Sequence, residues 1–207
     1  KYTIFGHSGF LGKNIINFLK KNKIKYFLPQ KEKIKFSHNL GHIIYCIGVY
    51  DVLDEPLKSI DASLKILSKV ILENKFRSFT FISSTRLYLN SKKTNENDKI
   101  CINPNNKDYF FNSIRLAAEN FCLSQNNKRI KVVRISNLYG NFFEEQKYFL
   151  PNLIRNSIKK KSISLTINKN SKKNYLDVVD AIEIILKIIK TSKYRLYNIA
   201  SNKRYSL

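Results

Sequence analysis

Gly6, Gly9 and Gly12 stand three residues apart in Tyr2-Thr3-Ile4-Phe5-Gly6-His7-Ser8-Gly9-Phe10-Leu11-Gly12. A short apolar run leads into them, and Lys13-Asn14-Ile15-Ile16-Asn17-Phe18-Leu19 follows with helical patterning. Strand, glycine turn and helix together can hold a dinucleotide diphosphate. Gly6 lets the chain turn sharply off the strand. Gly9, with no Cβ, lets backbone approach a pyrophosphate. Gly12 lets the helix pack closely on the strand. The helix N-terminus turns N–H groups and a partial positive charge toward the phosphates. Ser8, Phe10 and Leu11 belong to the same cradle.

Four segments in order resemble the extended short-chain dehydrogenase/reductases, the sugar-nucleotide epimerases, dehydratases and reductases. The glycine run has that family's spacing. Ile43-Ile44-Tyr45-Cys46-Ile47-Gly48 looks like its fourth strand, whose small residues at Cys46, Ile47 and Gly48 lie under the cofactor. Phe79-Thr80-Phe81-Ile82-Ser83-Ser84-Thr85-Arg86-Leu87-Tyr88 looks like its Ser-Ser-x-x-x-Tyr strand end. Arg134-Ile135-Ser136-Asn137-Leu138-Tyr139-Gly140 looks like its Arg-x-x-Asn-x-Tyr-Gly turn. The resemblance implies an α/β fold, a Rossmann-like parallel sheet with helices on both faces. It places a dinucleotide-binding domain at 1–140 and a small substrate-binding region with returning core elements at 141–207.

The resemblance also implies catalytic positions. The family uses a Tyr-x-x-x-Lys pair on one helical face. The lysine lowers the tyrosine pKa, and the tyrosine exchanges a proton with a substrate hydroxyl while hydride moves. Here the segment is Tyr109-Phe110-Phe111-Asn112-Ser113-Ile114-Arg115-Leu116-Ala117-Ala118-Glu119. Its Leu-Ala-Ala-Glu ending puts Arg115 at the lysine position and Phe111 at the tyrosine position. Ser84, four before Tyr88, falls at the catalytic Ser/Thr position. Thr85 and Asn137 fall on the substrate side. Arg115 keeps a positive charge and donors for the nicotinamide ribose. Phe111 has no titratable hydroxyl. Tyr109 is the nearest phenol, and it substitutes only where the turn is irregular.

Cofactor choice follows from the end of the second strand. An acid there would bond the adenosine ribose of NAD. This strand ends Tyr26-Phe27-Leu28-Pro29-Gln30-Lys31, with no acid at its tip. Gln30 and Lys31 border the ribose, and Lys31 and Lys33 suit the 2′-phosphate of NADP. The same lysines also fit the general surplus of the chain.

The elements that position these residues alternate. Strands are expected near Tyr2 to Phe5, Lys25 to Leu28, from Ile43, Phe79 to Ser83 and Lys131 to Ile135. Helices are expected near Leu11 to Lys21, Leu57 to Glu73 and Asn112 to Gln125. That alternation predicts a parallel sheet. Ile60, Leu64, Leu67 and Ile71 share one face of the second helix. Asp54-Glu55-Pro56 suits its first turn. Pro29 to His42 is too brief for the usual helix and third strand, and Ile34-Lys35-Phe36 is a remnant strand at most. Later, Pro151 opens a helix to about Lys160, Ser162 to Ile167 forms a strand, and Asp180 caps a helix to Lys190.

The chain has 207 residues, 43% of them hydrophobic, enough for one domain with a small appendage. Its net charge of +23 comes from scattered lysines among abundant Asn and Ile, the bias that AT-rich codons produce. Three unpaired cysteines, Cys46, Cys101 and Cys122, read as reduced thiols in a cytoplasmic protein. His7, His38 and His42 have no metal-ligand spacing with them. No apolar run reaches a membrane span and no signal peptide is visible. The start at Lys1 and the stop at Leu207 suggest a longer natural chain.

Three functions remain open at this point. The first is an NAD(P)-dependent enzyme of the extended family, acting on a nucleotide-linked sugar by hydride transfer. In it Ser84 polarises the reacting group, Arg115 holds the ribose, and a homodimer is an allowed assembly. The second is a degenerate relative that binds dinucleotide as a sensor or partner subunit, favoured by Phe111. The third is a nucleic-acid-binding use of the fold, suggested by charge alone.

Overall fold

The structure is a computed structural model that describes residues 1–30, 33–49, 52–142, 149–160 and 172–206. In chain order the first elements are β1 (Tyr2–Phe5), α1 (Phe10–Lys21), β2 (Tyr26–Phe27), β3 (His42–Tyr45), α2 (Pro56–Ile60), a π-helical turn (Asp61–Lys65) and α3 (Ile66–Glu73). Then come β4 (Ser78–Ser84), short 3₁₀ turns at Thr85–Tyr88 and Lys107–Tyr109, α4 (Phe110–Ser124), β5 (Ile130–Ile135), β6 (Asn137–Tyr139) and α5 (Phe149–Lys160). The chain closes with β7 (Lys172–Lys173), β8 (Tyr175–Asp177), α6 (Val178–Thr191), β9 (Leu196–Ile199) and β10 (Tyr205–Ser206).

The main sheet has six parallel strands in the order β2-β1-β3-β4-β5-β9. Its inner strands are buried almost throughout, as layers on both faces require. β1 and β3 are mostly apolar, whereas β4 and β5 bury Ser78, Thr80, Ser83, Lys131 and Arg134 among their apolar residues. On one face α1 and α6 pack over Ile4, Ile44, Ile82 and Val133. On the other, α3 and α4 cover Ile43, Tyr45, Phe79, Phe81 and Val132. From β1 the chain goes to β2 on one side, then crosses to β3 on the other. The β1–β3 gap is therefore the topological switch point, where ligands bind at the strands' carboxyl ends in sheets of this kind.

Several expectations need correction. The helix expected at Leu57 to Glu73 is interrupted by the π turn at Asp61–Lys65. The extra residue in that turn rotates the first half of the helix. Ser59, Ala62 and Ser63 are buried there, and Ile60 is exposed, off the buried face shared by Leu67 and Ile71. The Tyr45 hydroxyl donates to the Ala62 carbonyl across this contact. Asp180 is not the cap of α6. Asp177 is: its carboxylate accepts from Val179 N at 2.7 Å, and Asp180 sits in the first turn, where its charge meets the helix dipole. Helix α4 starts at Phe110, directly from the preceding 3₁₀ turn, rather than near Asn112.

Ile34-Lys35-Phe36 forms no strand. Phe36 instead packs edge-on to Phe27 with ring centroids 5.5 Å apart, and with Leu40 and Ile34 it covers this part of the core. The strand expected at Ser162 to Ile167 lies outside the described residues. Beyond residue 140, α6 packs on α1 and β9 joins β5 in the main sheet. The small pairs β6–β8 and β10–β7 stand apart from it. Among the described residues no helix is long and apolar enough to cross a membrane.

Candidate functional site

The crevice at the carboxyl ends of β1, β3 and β4 holds most of the residues singled out above. At its first end Gly6 has φ +89°, a conformation open to glycine. A Cβ on Gly6 would lie 2.6 Å from the Cys46 carbonyl carbon and Ile47 N, so β1 and β3 close on each other here without side chains between them. A Cβ on Gly12 would overlap the Gly6 carbonyl oxygen and fall 2.6 Å from His7 Cα. Gly9 differs. A Cβ there meets nothing nearer than the Gly6 carbonyl oxygen at 3.5 Å. The fold itself places no demand for glycine at position 9, whose face is exposed and leaves room for a ligand to approach the backbone.

Gly9 precedes α1 without a side-chain cap, and the first turn of α1 carries no acid. Phe10 and Leu11 bury their side chains and leave the backbone of that turn toward the crevice, with Ser8 exposed beside it. A helix N-terminus in this form attracts anions. His7 Nε2 donates to the Pro29 carbonyl at 3.2 Å, which ties the glycine loop to the loop after β2. Gln30 is exposed in that loop, and its carbonyl accepts from Lys33 N at 3.1 Å. Lys31 lies outside the described residues. The Cys46 thiol donates to the Phe5 carbonyl at 3.1 Å, and burial pushes its pKa up to about 12. It is a packing group rather than a nucleophile.

The other end of the crevice is made by β4 and α4. Arg115 is buried and points its guanidinium at the floor of the site. It donates to the Ile82 carbonyl at 3.4 Å and stacks over Phe81 and Phe111, 5.5 and 5.4 Å from their ring centres. A Cβ on Gly48 would lie 2.6 Å from an Arg115 terminal nitrogen, so the glycine makes room for the arginine. Ser59, Ser63, Phe111 and Arg115 line one small hollow together with Val49, Val52 and Ile114. The structure thus brings the lysine-position arginine and the tyrosine-position phenylalanine together on one face of α4, as their spacing requires. Ser84 ends β4, where its hydroxyl accepts from Arg86 N at 3.1 Å and caps the turn that starts at Thr85.

Tyr109 goes elsewhere. Its side chain is buried, its hydroxyl accepts from Asn90 Nδ2 at 3.0 Å, and it lines a separate hollow of about 460 Å³ with Leu53, Pro56 and Phe110. Asn137 is exposed on β6 and donates to the Asn174 carbonyl at 2.9 Å, in the small β6–β8 pair.

Two groups escape a reading of the sequence. Arg86 occupies an unspecified position of the Ser-Ser-x-x-x-Tyr run, yet its guanidinium lies 5.2 Å from the centre of the Phe111 ring. Tyr88, Glu119 and Arg134 belong to three different motifs, yet form one buried knot. Arg134 pairs with Glu119 at 2.7 Å and donates to the Tyr88 hydroxyl at 2.6 Å. That hydroxyl lies 3.0 Å from the Asn95 carbonyl and from Asn198 Oδ1. The ordered motifs therefore mark a structural clamp as well as a site.

Comparison with known proteins bears on the fold and the family. A search of curated proteins found no match. Among solved structures, the chain superposes on RMD from Pseudomonas aeruginosa complexed with NADPH at a TM-score of 0.78, with 18% identity over 99% of this chain and 80% of that one. The UDP-N-acetylglucosamine 4-epimerase from Bacillus cereus gives 0.81, with 16% identity over 99% and 77%. MoeE5 in complex with UDP-glucose and NAD gives 0.80, with 13% identity over 100% and 78%. At these identities the likeness shows the Rossmann-like fold. Residues 59–200 match the model of the NAD-dependent epimerase/dehydratase family, and the chain belongs to that family.

Proposed function

We propose that the crevice holds a nicotinamide dinucleotide, NAD or NADP, against a nucleotide-linked sugar, for hydride transfer at a sugar carbon. The observation that carries this is Gly9, whose Cβ-free face opens to the crevice while Gly6 and Gly12 are glycine for internal reasons. The dinucleotide supplies the hydride acceptor. The N-terminal turn of α1 and Gly9 hold its diphosphate. Arg115, set by Gly48 and the Ile82 carbonyl, would hold the nicotinamide ribose through its permanent positive charge. Ser84 presents a hydroxyl at the end of β4 to orient the reacting oxygen. The neighbours named above, in complex with NADPH or with UDP-glucose and NAD, support the assignment of ligand class.

Phe111 favours a second reading, in which dinucleotide and sugar bind without turnover. Its ring stacks with Arg115 and offers no hydroxyl for the sugar proton, and the Tyr109 hydroxyl is engaged by Asn90 beside a separate hollow. Stopped-flow fluorescence of the bound cofactor against a panel of nucleotide sugars separates the two. Slow reduction at stoichiometric enzyme supports the first. Tight binding of both ligands with no reduction supports the second. No binding of either dinucleotide overturns both.

A further inference from the structure

Two guanidiniums lie over the Phe111 ring, Arg115 at 5.4 Å and Arg86 at 5.2 Å from its centre. Their circumstances differ. Arg115 is buried in the floor of the crevice, whereas Arg86 is exposed at its rim. Among the described residues, the one contact of the Arg86 guanidinium with a polar partner is a 3.2 Å hydrogen bond to the Asp108 backbone carbonyl. No carboxylate lies within 4.0 Å of Arg86 among the described residues. The backbone beneath it is fixed: Asn112 Nδ2 donates to the Arg86 carbonyl at 3.1 Å, and Arg86 N donates to Ser84 Oγ at 3.1 Å.

A guanidinium held by a carbonyl and an aromatic ring keeps the rest of its planar fork for an external acceptor. That fork matches a carboxylate in two parallel hydrogen bonds. A neutral sugar hydroxyl uses one donor and leaves the charge unmatched. Arg86 also stands beside Phe111 and two residues from Ser84, at the reacting end of the crevice, on the opposite side of β3 from the glycine loop.

We propose that Arg86 is a specificity residue for a carboxylate on the sugar, so that the substrate class is a nucleotide-linked uronic acid rather than a neutral hexose. This rests on the nucleotide-sugar reading above.

The test is calorimetric titration of the dinucleotide-saturated protein with UDP, UDP-glucose and UDP-glucuronate, repeated with GDP, GDP-mannose and GDP-mannuronate. Wild type should bind the uronate of one series about tenfold or more tighter than the hexose, the size of one charge-assisted contact. Arg86→Gln should bring the two to parity while leaving the hexose affinity in place. Arg86→Lys, which keeps the charge and loses the fork, should retain part of the preference. Equal wild-type affinity for uronate and hexose overturns the inference and leaves the nucleotide-sugar reading standing. A loss in Arg86→Gln shared equally by the free nucleotide, hexose and uronate also overturns it, assigning the guanidinium to the diphosphate. Binding of dinucleotide with no binding of any nucleotide sugar overturns the nucleotide-sugar reading itself, and the inference with it.

Discussion

The two ends of the crevice are built by different means. At the glycine-loop end, backbone packs on backbone. Gly6 against Cys46 and Ile47, and Gly12 against Gly6 and His7, leave no volume for a side chain. At the α4 end, side chains make the site, and the scaffold holds them without dictating their chemistry. The helical spacing that would present tyrosine and lysine here presents Phe111 and Arg115. Backbone contacts tolerate almost no substitution, so that end keeps the expected form. The α4 end can lose a hydroxyl and gain a guanidinium with the fold intact.

The sharpest test of this contrast lies within one loop. Gly12→Val should prevent the protein from accumulating in a folded form, because a side chain there overlaps the Gly6 carbonyl. Backbone clashes of this kind cost about 4 kcal/mol or more. Gly9→Val should fold normally, since Gly9 sits at φ −77° and ψ 171°, an extended conformation valine favours. It should lose dinucleotide binding all the same. Melting curves and calorimetric titration of the two variants check both halves. Intact dinucleotide affinity in Gly9→Val would place the ligand elsewhere.

The second test is at the other end. Phe111→Tyr combined with Arg115→Lys should raise hydride turnover with nucleotide sugars by about 10²–10⁴, the usual contribution of a positioned acid/base group. The single change Phe111→Tyr should recover less, because Arg115 is committed to Phe81 and the Ile82 carbonyl and would position the phenol differently. Tyr109→Phe should leave the rate as it was, since that hydroxyl is tied to Asn90. Robust wild-type turnover that vanishes in Tyr109→Phe would reverse the assignment and make Tyr109 the acid/base.

How far this was legible in the sequence follows the same division. The glycine triplet, the alternation of strands and helices behind the parallel sheet, and the pairing of Phe111 with Arg115 could be read, because each is a local pattern tied to a backbone geometry. The π turn could not, since an inserted residue leaves the composition unchanged and only rotates the face. Ile60 looked buried for that reason, and Ser59 and Ser63, which line the hollow beside Arg115, gave no signal. Asp180 looked like a cap because a glutamate follows it by three, while Asp177 stands in the extended residue where the chain enters the helix. Arg86 was invisible because its contact with Phe111 depends on α4 packing against the turn after β4, a long-range arrangement.

A thiol experiment probes the packing of the glycine-loop end. Cys46 donates to the Phe5 carbonyl and its pKa is pushed up to about 12 by burial, whereas Cys101 is exposed in a loop. Alkylation proceeds through the thiolate. At pH 8, mass spectrometry after brief iodoacetamide treatment should find Cys101 labelled about 10² times faster than Cys46. The direction of the shift also sets a pH dependence. A folded-state pKa above the unfolded value keeps the thiol's contribution intact below about pH 9 and removes it as pH rises toward 12. Equal labelling of the two thiols would show that the β1–β3 contact opens on the time scale of the reaction.

The smallest effect expected concerns cofactor choice, at the outer edge of the glycine-loop end. No acid stands at the tip of β2, and Lys31 and Lys33 follow it. We propose NADP as the preferred dinucleotide on that basis. The structure puts a competing demand on one of the two: the Lys33 ammonium lies 5.5 Å from the centre of the Phe36 ring. A cation–π contact at an exposed site is worth about 0.5–1 kcal/mol, less than a charge-assisted bond to phosphate at about 1.5–3 kcal/mol, so a 2′-phosphate would draw the lysine away. Replacing both lysines by alanine should therefore weaken NADP relative to NAD by about tenfold, with NAD affinity nearly unchanged. Replacing Lys33 alone should give a smaller part of that loss. A ratio of NADP to NAD affinity that stays constant through both variants would return the lysines to the general basic surface, and the glycine-loop end would then bind the diphosphate common to both cofactors without reading the ribose.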